Sequence, residues 1–234
     1  MTERVEGRRS TGATAPLRLL FVCTANISRS PYAERRARQA LGGWNVDVAS
    51  AGIPGYPGRG MDPEMAAQLV ERGGDVTGHV SQAVSDALLA WSDLVLTFEF
   101  AQHMRLLDAH PEHAGKILGV GQLAAAEGRA DAAQGAPPFD DVEDLVAWVT
   151  ATVGVNSMRF DIDDPYRRGS KVATTTADAI DRALDAFLPV LAEAELPRLA
   201  REQRDPPKRR RRWFRWVSCR RCGAAPRRGA RRRP

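Results

Sequence analysis

Apolar residues fall into short clusters along the chain, separated by longer stretches with a helical repeat. The first cluster, residues 17–23, is rich in Leu, Phe and Val and has the length of a buried strand. Strands are predicted near 17–23, 45–50, 93–98 and 116–120, and helices near 30–42, 62–72, 83–91, 99–109 and 177–200. Because strands that alternate with helices usually form a parallel sheet, the pattern predicts a single α/β domain with a central four-stranded parallel sheet flanked by helices.

The loop between the first predicted strand and the first predicted helix has the sequence CTANISRS. In a parallel sheet such a loop directs its backbone N–H groups and the positive end of the next helix to one point, which favours a bound oxyanion. The same setting favours a thiolate at Cys23, and the planar guanidinium of Arg29 matches two phosphate oxygens. The loop therefore predicts a phosphate-binding site with a cysteine nucleophile, although a lone buried cysteine often only closes a strand.

Further segments follow this loop in order: VASAG (48–52), DPEMAAQLVERG (62–73), HVSQAVS (79–85), SDLVLTF (92–98) and DDPY (163–166). With the loop, they resemble the low molecular weight protein tyrosine phosphatases over roughly residues 16–198. The resemblance implies an enzyme that hydrolyses phosphotyrosine through a cysteinyl-phosphate intermediate and uses no cofactor. The chain's 4 scattered histidines predict no catalytic metal site.

The resemblance also implies roles for individual residues. Cys23 would be the nucleophile, Arg29 would bind the phosphate, and Asp164 would act as general acid and then general base. Asp161 and Asp163 are alternatives to Asp164 within the same acidic turn. The implied substrate-binding residues are Thr24, Ala25, Asn26, Ile27, Ser28, Ser30, Tyr56 and Tyr166.

Four of these residues have a more specific implied role. Ser30 would hydrogen-bond the thiolate, and Asn26 would brace the loop, since Asn tolerates the left-handed backbone that an anion-binding turn requires. Tyr56 and Tyr166 would line the cleft around a phosphotyrosine ring. The alternative for the two tyrosines is that they are ordinary half-buried aromatic residues.

Two positions of the loop depart from the family. Ala25 stands where glycine is usual, which would strain the loop if this position required a positive φ. Ser28 stands where a second cysteine is common. Without that cysteine, an oxidised nucleophile has no neighbouring thiol with which to form a protective disulfide, while hydrolysis itself does not need one.

Composition divides the chain into a phosphatase domain at residues 16–203 and two appendages, 1–15 and 204–234, both predicted to be disordered. Relative to the family, the domain contains an apparent insertion at about residues 127–159. Its second half, DDVEDLVAWVTATVG, predicts an amphipathic helix. The insertion is a candidate lid over the site, and a helix packed on the domain surface is an equal alternative.

The tail is strongly basic. Its 14 Lys and Arg against Asp205 give residues 204–234 a charge of +13, so the other 203 residues carry −8 of the chain's net +5. The mixture of Arg and Trp in RRRRWFRWV suits an anionic membrane surface or nucleic acid, and a tail without function is the alternative. No signal peptide is predicted, and three cysteines fit a reducing cytoplasm, with peripheral membrane attachment through the tail.

Two other functions fit parts of the sequence. An arsenate reductase on the same scaffold would use the same loop, but it needs resolving cysteines, and only Cys219 and Cys222 in the tail could serve. Those two cysteines form a CxxC without the further ligands that zinc requires. A non-catalytic phosphate-binding adaptor is the second alternative. For the phosphatase, the expected partners are phosphotyrosine-containing proteins, with a tyrosine kinase as a candidate.

Overall fold

The computed structural model describes residues 16–130, 139 and 141–193. A parallel sheet of four strands, in the order β2-β1-β3-β4, forms its centre. The strands are β1 (Leu17–Cys23), β2 (Val46–Gly52), β3 (Leu94–Thr97) and β4 (Ile117–Gly119). Each overlaps a strand predicted from the sequence, and the predicted α/β fold with a central four-stranded parallel sheet is confirmed.

Seven α-helices surround the sheet within the described ranges. They are α1 (Arg29–Ala40), α2 (Pro63–Glu71), α3 (Asp86–Trp91), α4 (Phe100–Ala109), α5 (Val120–Glu127), α6 (Val142–Val153) and α7 (Ser170–Glu193). Helices α1 to α4 match the predicted ones closely, and α6 is the helix predicted within 127–159. Helix α5 was not predicted. The predicted extension of the last helix to residue 200 lies outside the described residues.

Helix α7 begins at Ser170, seven residues before the predicted start at residue 177. The sequence prediction was wrong here because the run of β-branched residues at 174–176 has low helix propensity. In the structure, Ala173 and Thr176 are buried. The hydroxyls of Thr174 and Thr175 donate to carbonyls one turn earlier, at 3.0 and 3.1 Å. Tertiary packing therefore outweighs propensity in this turn.

Alternate residues of β1 face opposite sides of the sheet. Leu19, Phe21 and Cys23 belong to the larger hydrophobic core, which α1, α2, α5, α6 and α7 cover. Leu20 and Val22 belong to a smaller core on the other side, covered by α3 and α4. Because Cys23 continues the first set, its side chain lies on the side of the sheet that α1 covers.

The carboxyl ends of β1, β2 and β3 meet at one edge of the sheet. Cys23 pairs with Gly52 of β2, and the preceding residue, Val22, pairs with Thr97 of β3. The segments that follow these three strands therefore start side by side, as ligand-binding loops of parallel sheets do. The predicted phosphate-binding loop after the first strand is one of them.

Candidate active site

Residues 23–30, here called the phosphate loop, lead from the end of β1 into the first turn of α1. Asn26 has a left-handed backbone with φ of 58°, as its residue type allows. The non-glycine residues with positive φ in the described part of the chain are Asn26 and Arg167. Ala25 is not among them, so alanine in place of the family's usual glycine introduces no strain from a left-handed backbone.

The surrounding structure binds the carbonyl oxygens of the phosphate loop. By contrast, the amides of Ala25, Ile27 and Ser28 donate to no acceptor among the described residues. These three N–H groups are therefore available as donors to an oxyanion. The carbonyl contacts are Ile53 N to Cys23 O at 2.8 Å, Gly55 N to Thr24 O at 2.9 Å, His79 Nε2 to Asn26 O at 2.8 Å and Asp62 N to Ile27 O at 2.7 Å.

The thiol of Cys23 is buried at the start of the loop. The Asn26 amide donates to Sγ at 3.3 Å, and Ser30 Oγ lies 3.0 Å from Sγ. Asn26 Nδ2 donates to Ser30 Oγ at 3.0 Å, and the single hydroxyl proton of Ser30 has two acceptors within reach, Cys23 Sγ at 3.0 Å and Ala51 O at 3.2 Å. With this hydroxyl turned towards Sγ, it and the Asn26 amide would together stabilise a thiolate, the form in which cysteine acts as a nucleophile.

A buried polar network holds Asn26 from behind. Asn26 Nδ2 also donates to Ser50 Oγ at 2.8 Å, and the Ser50 hydroxyl donates to the Glu34 carboxylate at 2.5 Å. The Gln82 amide donates to Asn26 Oδ1 at 2.9 Å. Ser50 and Glu34 were not predicted as site residues, although VASAG places a serine near the end of a predicted strand. These contacts hold Asn26 in its left-handed turn behind the loop.

Arg29 is 1% exposed and lies among acceptors from distant parts of the chain. Its NH1 donates to Ile162 O at 2.9 Å, and its NH2 lies 3.2 Å from both Glu99 Oε2 and Asp164 Oδ2. Its Nε is buried and has no hydrogen-bond partner among the described residues. The protein thus holds the two terminal nitrogens of the guanidinium, while its Nε–H has no acceptor among the described residues.

The three aspartates of the acidic turn face different partners. Asp161 Oδ1 accepts from the Phe100 amide at 2.7 Å, and desolvation raises the pKa of the Asp161 carboxyl above its ordinary value. Asp163 Oδ2 lies 3.4 Å from Arg168 NH1. Of the three carboxylates, that of Asp164 contacts Arg29. The geometry therefore selects Asp164 as the carboxylate near the loop.

Glu99 and Gln102 contact the site and were missed by sequence analysis. Gln102 Nε2 donates to Thr24 Oγ1 at 3.1 Å and to Glu99 Oε2 at 2.6 Å. The sequence did contain a signal for Glu99, because this residue closely follows a predicted strand and the carboxyl ends of parallel strands meet at one edge of the sheet.

Gly52 was also missed. A Cβ at this position would lie 2.8 Å from Gly55 Cα and 2.9 Å from both Ala25 C and Asn26 N, closer than real Cβ atoms approach. Only glycine therefore allows the phosphate loop to pack directly against the end of β2.

A cavity of about 360 Å³ brings the predicted residues together. The phosphate loop supplies Cys23, Thr24, Ala25, Ile27, Ser28 and Arg29 to its lining. Asn26 and Ser30 lie behind this lining and support it. The remaining lining residues, here called the rim, are Tyr56, Arg59, Asp164, Tyr166 and Arg167. Arg59 and Arg167 were not predicted.

The described part of the candidate lid does not contribute to the cavity. None of the described residues in 127–159 lines it, and α6 packs against α5 and the short 3₁₀ segment Pro111–Lys116. The segments 1–15 and 204–234, including Cys219 and Cys222, lie outside the described residues. Within the described ranges, no group of His, Cys, Asp and Glu could hold a metal ion, and no helix is long and apolar enough to span a membrane.

Comparison with known proteins identifies the family. Residues 18–153 match the family model "Low molecular weight phosphotyrosine protein phosphatase". The chain belongs to this family. One relative of this phosphatase is "Probable low molecular weight protein-tyrosine-phosphatase EpsP" from Ralstonia solanacearum, with 29% identity over 171 residues, 73% of this chain and 93% of that protein. The predicted family and enzyme class, a phosphoric monoester hydrolase, are confirmed.

Solved structures show the same fold. Wzb from Vibrio vulnificus in complex with benzylphosphonate has 27% identity and a TM-score of 0.55, over 75% of this phosphatase and 99% of that chain. The YwlE arginine phosphatase from Geobacillus stearothermophilus has 22% identity and a TM-score of 0.58, over 77% and 96% of the two chains. The second similarity shows the fold alone.

Proposed function

We propose that this phosphatase hydrolyses phosphotyrosine in proteins, and related aryl phosphate monoesters, through a cysteinyl-phosphate on Cys23. The observation that carries the proposal is the 3.2 Å contact between Arg29 and Asp164, which lies in the same cavity as the Cys23 thiol. A nucleophile, a phosphate-binding guanidinium and a carboxylate for proton transfer are thereby within reach of one bound ester.

In the first step of this mechanism, Cys23 Sγ attacks phosphorus and the bond to the aryl oxygen breaks. The electron pair leaves with that oxygen, which takes a proton from the Asp164 carboxyl. The free amides of the phosphate loop and the Arg29 guanidinium bind the three non-bridging oxygens, where negative charge must be stabilised. A phosphate on Arg29 would displace the Asp164 carboxylate from that guanidinium towards the bridging oxygen.

In the second step, water attacks the phosphorus of the cysteinyl-phosphate. The Asp164 carboxylate takes a proton from this water, the phosphorus–sulfur bond breaks, and orthophosphate leaves. The Cys23 thiolate is regenerated, held by the Asn26 amide and the Ser30 hydroxyl. The cycle consumes one water and needs no redox partner.

The lining of the cavity supports an aryl ester as the substrate. Ile27 is an apolar part of the lining, and Tyr56 and Tyr166 supply aromatic surfaces at the rim, which suit contact with a tyrosyl ring. The related Wzb from Vibrio vulnificus was solved with benzylphosphonate, a ligand that joins an aromatic ring to a phosphonate. The proposed partners are accordingly phosphotyrosine-containing proteins, with a tyrosine kinase as one candidate.

The arsenate reductase alternative requires further thiols near the nucleophile. Cys23 is the free cysteine in the described part of the chain. The full sequence contains two more, Cys219 and Cys222, which lie outside that part. Substitution of these two cysteines therefore separates the two activities experimentally.

Turnover of p-nitrophenyl phosphate by the purified full-length chain tests the proposal. We expect Cys23→Ser to abolish turnover, because no cysteinyl-phosphate can form. The double variant Cys219→Ser/Cys222→Ser is the matched control and should retain it. Wild-type turnover by Cys23→Ser would refute the mechanism. Arsenate reduction that disappears in the double variant, without phosphatase activity, would favour the reductase.

A further inference from the structure

The rim contains two arginines that the proposed reaction does not use. Arg59 and Arg167 both line the cavity and are exposed. Neither side chain forms an ion pair or hydrogen bond with any described residue. Other arginines nearby are paired, since Arg29 contacts Glu99 and Asp164, and Arg168 contacts Asp163. Among the described residues, two unpaired positive charges therefore stand beside the phosphate-binding loop.

The backbone of Arg59 is fixed although its side chain is not. Its amide donates to Ser81 Oγ at 2.9 Å, and its carbonyl accepts from the Ser81 amide at 2.8 Å. Ser81 is 2% exposed, and its hydroxyl also donates to Tyr56 O at 2.6 Å. One buried serine thus holds both Tyr56 and Arg59 in place, so little backbone freedom would be lost when a ligand binds them.

Arg167 is placed by the turn that carries the proposed acid. Its backbone has φ of 58°, an unusual conformation for a residue other than Gly, Asn or Asp. Its guanidinium carbon lies 5.1 Å from the centroid of the Tyr166 ring, within range of a cation–π interaction. The Tyr166 amide donates to Asp164 Oδ1 at 3.3 Å. The charge of Arg167 is therefore held next to the aromatic surface proposed to contact a substrate ring.

We propose that Arg59 and Arg167 form a carboxylate-binding subsite that selects phosphotyrosine peptides with Asp or Glu next to the phosphotyrosine. This inference rests on the proposed function. A peptide whose phosphotyrosine enters the cavity must carry its neighbouring residues across the rim, where each guanidinium offers a planar fork to a carboxylate. Exposed ion pairs of this kind are weak, so two of them should give acidic peptides an advantage of about 2- to 25-fold.

Peptide binding to the Cys23→Ser full-length chain tests the subsite without turnover. Three labelled phosphotyrosine peptides should differ only in their flanking residues, which are Asp, Ser or Lys. We expect the Asp peptide to bind about 2- to 25-fold more tightly than the Ser peptide and the Lys peptide to bind most weakly. Raising the salt concentration should reduce these ratios, because exposed charges are screened.

Reversing the charges of the two rim arginines provides a sharper test of the subsite. In the Cys23→Ser background, Arg59→Glu/Arg167→Glu should reverse the order, so that the Lys peptide binds more tightly than the Asp peptide. Arg105→Glu is the matched control, since Arg105 is exposed on α4 and does not line the cavity. It should leave the wild-type order unchanged. If the double variant does not fold, the single variants Arg59→Gln and Arg167→Gln replace it. Each should lose part of the preference for the Asp peptide.

The outcomes separate the subsite from the proposed function. Equal dissociation constants for the Asp and Ser peptides, or an order unaffected by charge reversal, would overturn the subsite whatever the turnover. Absence of p-nitrophenyl phosphate hydrolysis by the wild-type chain would instead overturn the proposed function. Acidic preference that charge reversal inverts would establish the subsite.

Discussion

The phosphate loop and the rim line the same cavity but are built in opposite ways. In the loop, Asn26 and Ser30 are fully buried, and four carbonyl oxygens accept hydrogen bonds from outside the loop. In the rim, Tyr56 is 54% exposed, and the side chains of Arg59 and Arg167 extend towards solvent. A rigid base suits an oxyanion of constant shape, whereas an exposed rim suits substrates that differ from one another.

Asp164 is a rim residue, but it contacts Arg29 of the phosphate loop. It is therefore the rim residue whose substitution should affect the chemistry most. We expect Asp164→Asn to slow phosphotyrosine hydrolysis by about 10² to 10⁴, the usual effect of losing a general acid–base. The loss should be smaller with p-nitrophenyl phosphate, because its leaving group needs less protonation. Steady-state rates with both substrates measure this.

Asp163→Asn is the control for that experiment, because Asp163 faces Arg168 and does not line the cavity. It should retain nearly full activity. If the two variants lost equal activity, proton transfer would not be assigned to Asp164.

Substitutions in the phosphate loop should have a different effect from substitutions in the rim. Arg29→Lys keeps the charge but removes the planar pair of donors, so we expect kcat/KM to fall by about 10²- to 10³-fold. The fall should be the same for every substrate, because all of them present the same phosphate. Vanadate should inhibit the wild type competitively and the variant weakly; equal inhibition of both would remove Arg29 from the phosphate site.

The packing of β2 against the phosphate loop can be tested by substituting Gly52. Gly52→Ala places a methyl group against the backbone of Ala25 and Asn26, so we expect a loss of about 1–3 kcal/mol in the free energy of unfolding. A displaced loop should also lower kcat by roughly 10- to 100-fold. Gly60→Ala is the matched control, since its added Cβ meets no atom within 4 Å. The free energy of unfolding, from denaturant unfolding, and kcat are both measured. If neither changes in Gly52→Ala, the loop does not depend on this contact.

The prediction with the smallest expected effect concerns Glu127, which belongs to neither the phosphate loop nor the rim. Burial raises the pKa of Glu127, at the end of α5, to about 7, and its Oε1 has no hydrogen-bond partner among the described residues. Because the folded state holds this proton more tightly than the unfolded state, stability should fall as pH rises from about 4.5 to 7. Glu127→Gln should remove that part of the pH dependence and leave kcat unchanged.

Denaturant unfolding at pH 5 and pH 8 measures the effect of Glu127→Gln. Glu143→Gln, at an exposed position of α6, is the control and should follow the wild type. An identical pH dependence in Glu127→Gln and the wild type would contradict the assignment.

Several features of this phosphatase could be predicted from local sequence. The apolar run of β1, the polar loop after it and the amphipathic repeat of α1 are neighbours in the chain, and their patterns indicated a parallel α/β sheet with a phosphate-binding loop. The cysteine and arginine of the loop are six residues apart, so a short segment contained both. Where local preference opposed packing, at the start of α7, prediction was wrong.

Tertiary structure decided the rest, because it depends on contacts between residues far apart in the chain. Arg29 meets Ile162, 133 residues away, and the packing of the acidic turn brings Asp164 into contact with the Arg29 guanidinium. The need for glycine at position 52 follows from how closely β2 approaches the loop. The unpaired state of Arg59 and Arg167 could not be read from their residue types, since an arginine's partners are chosen by the fold and not by its neighbours in the sequence.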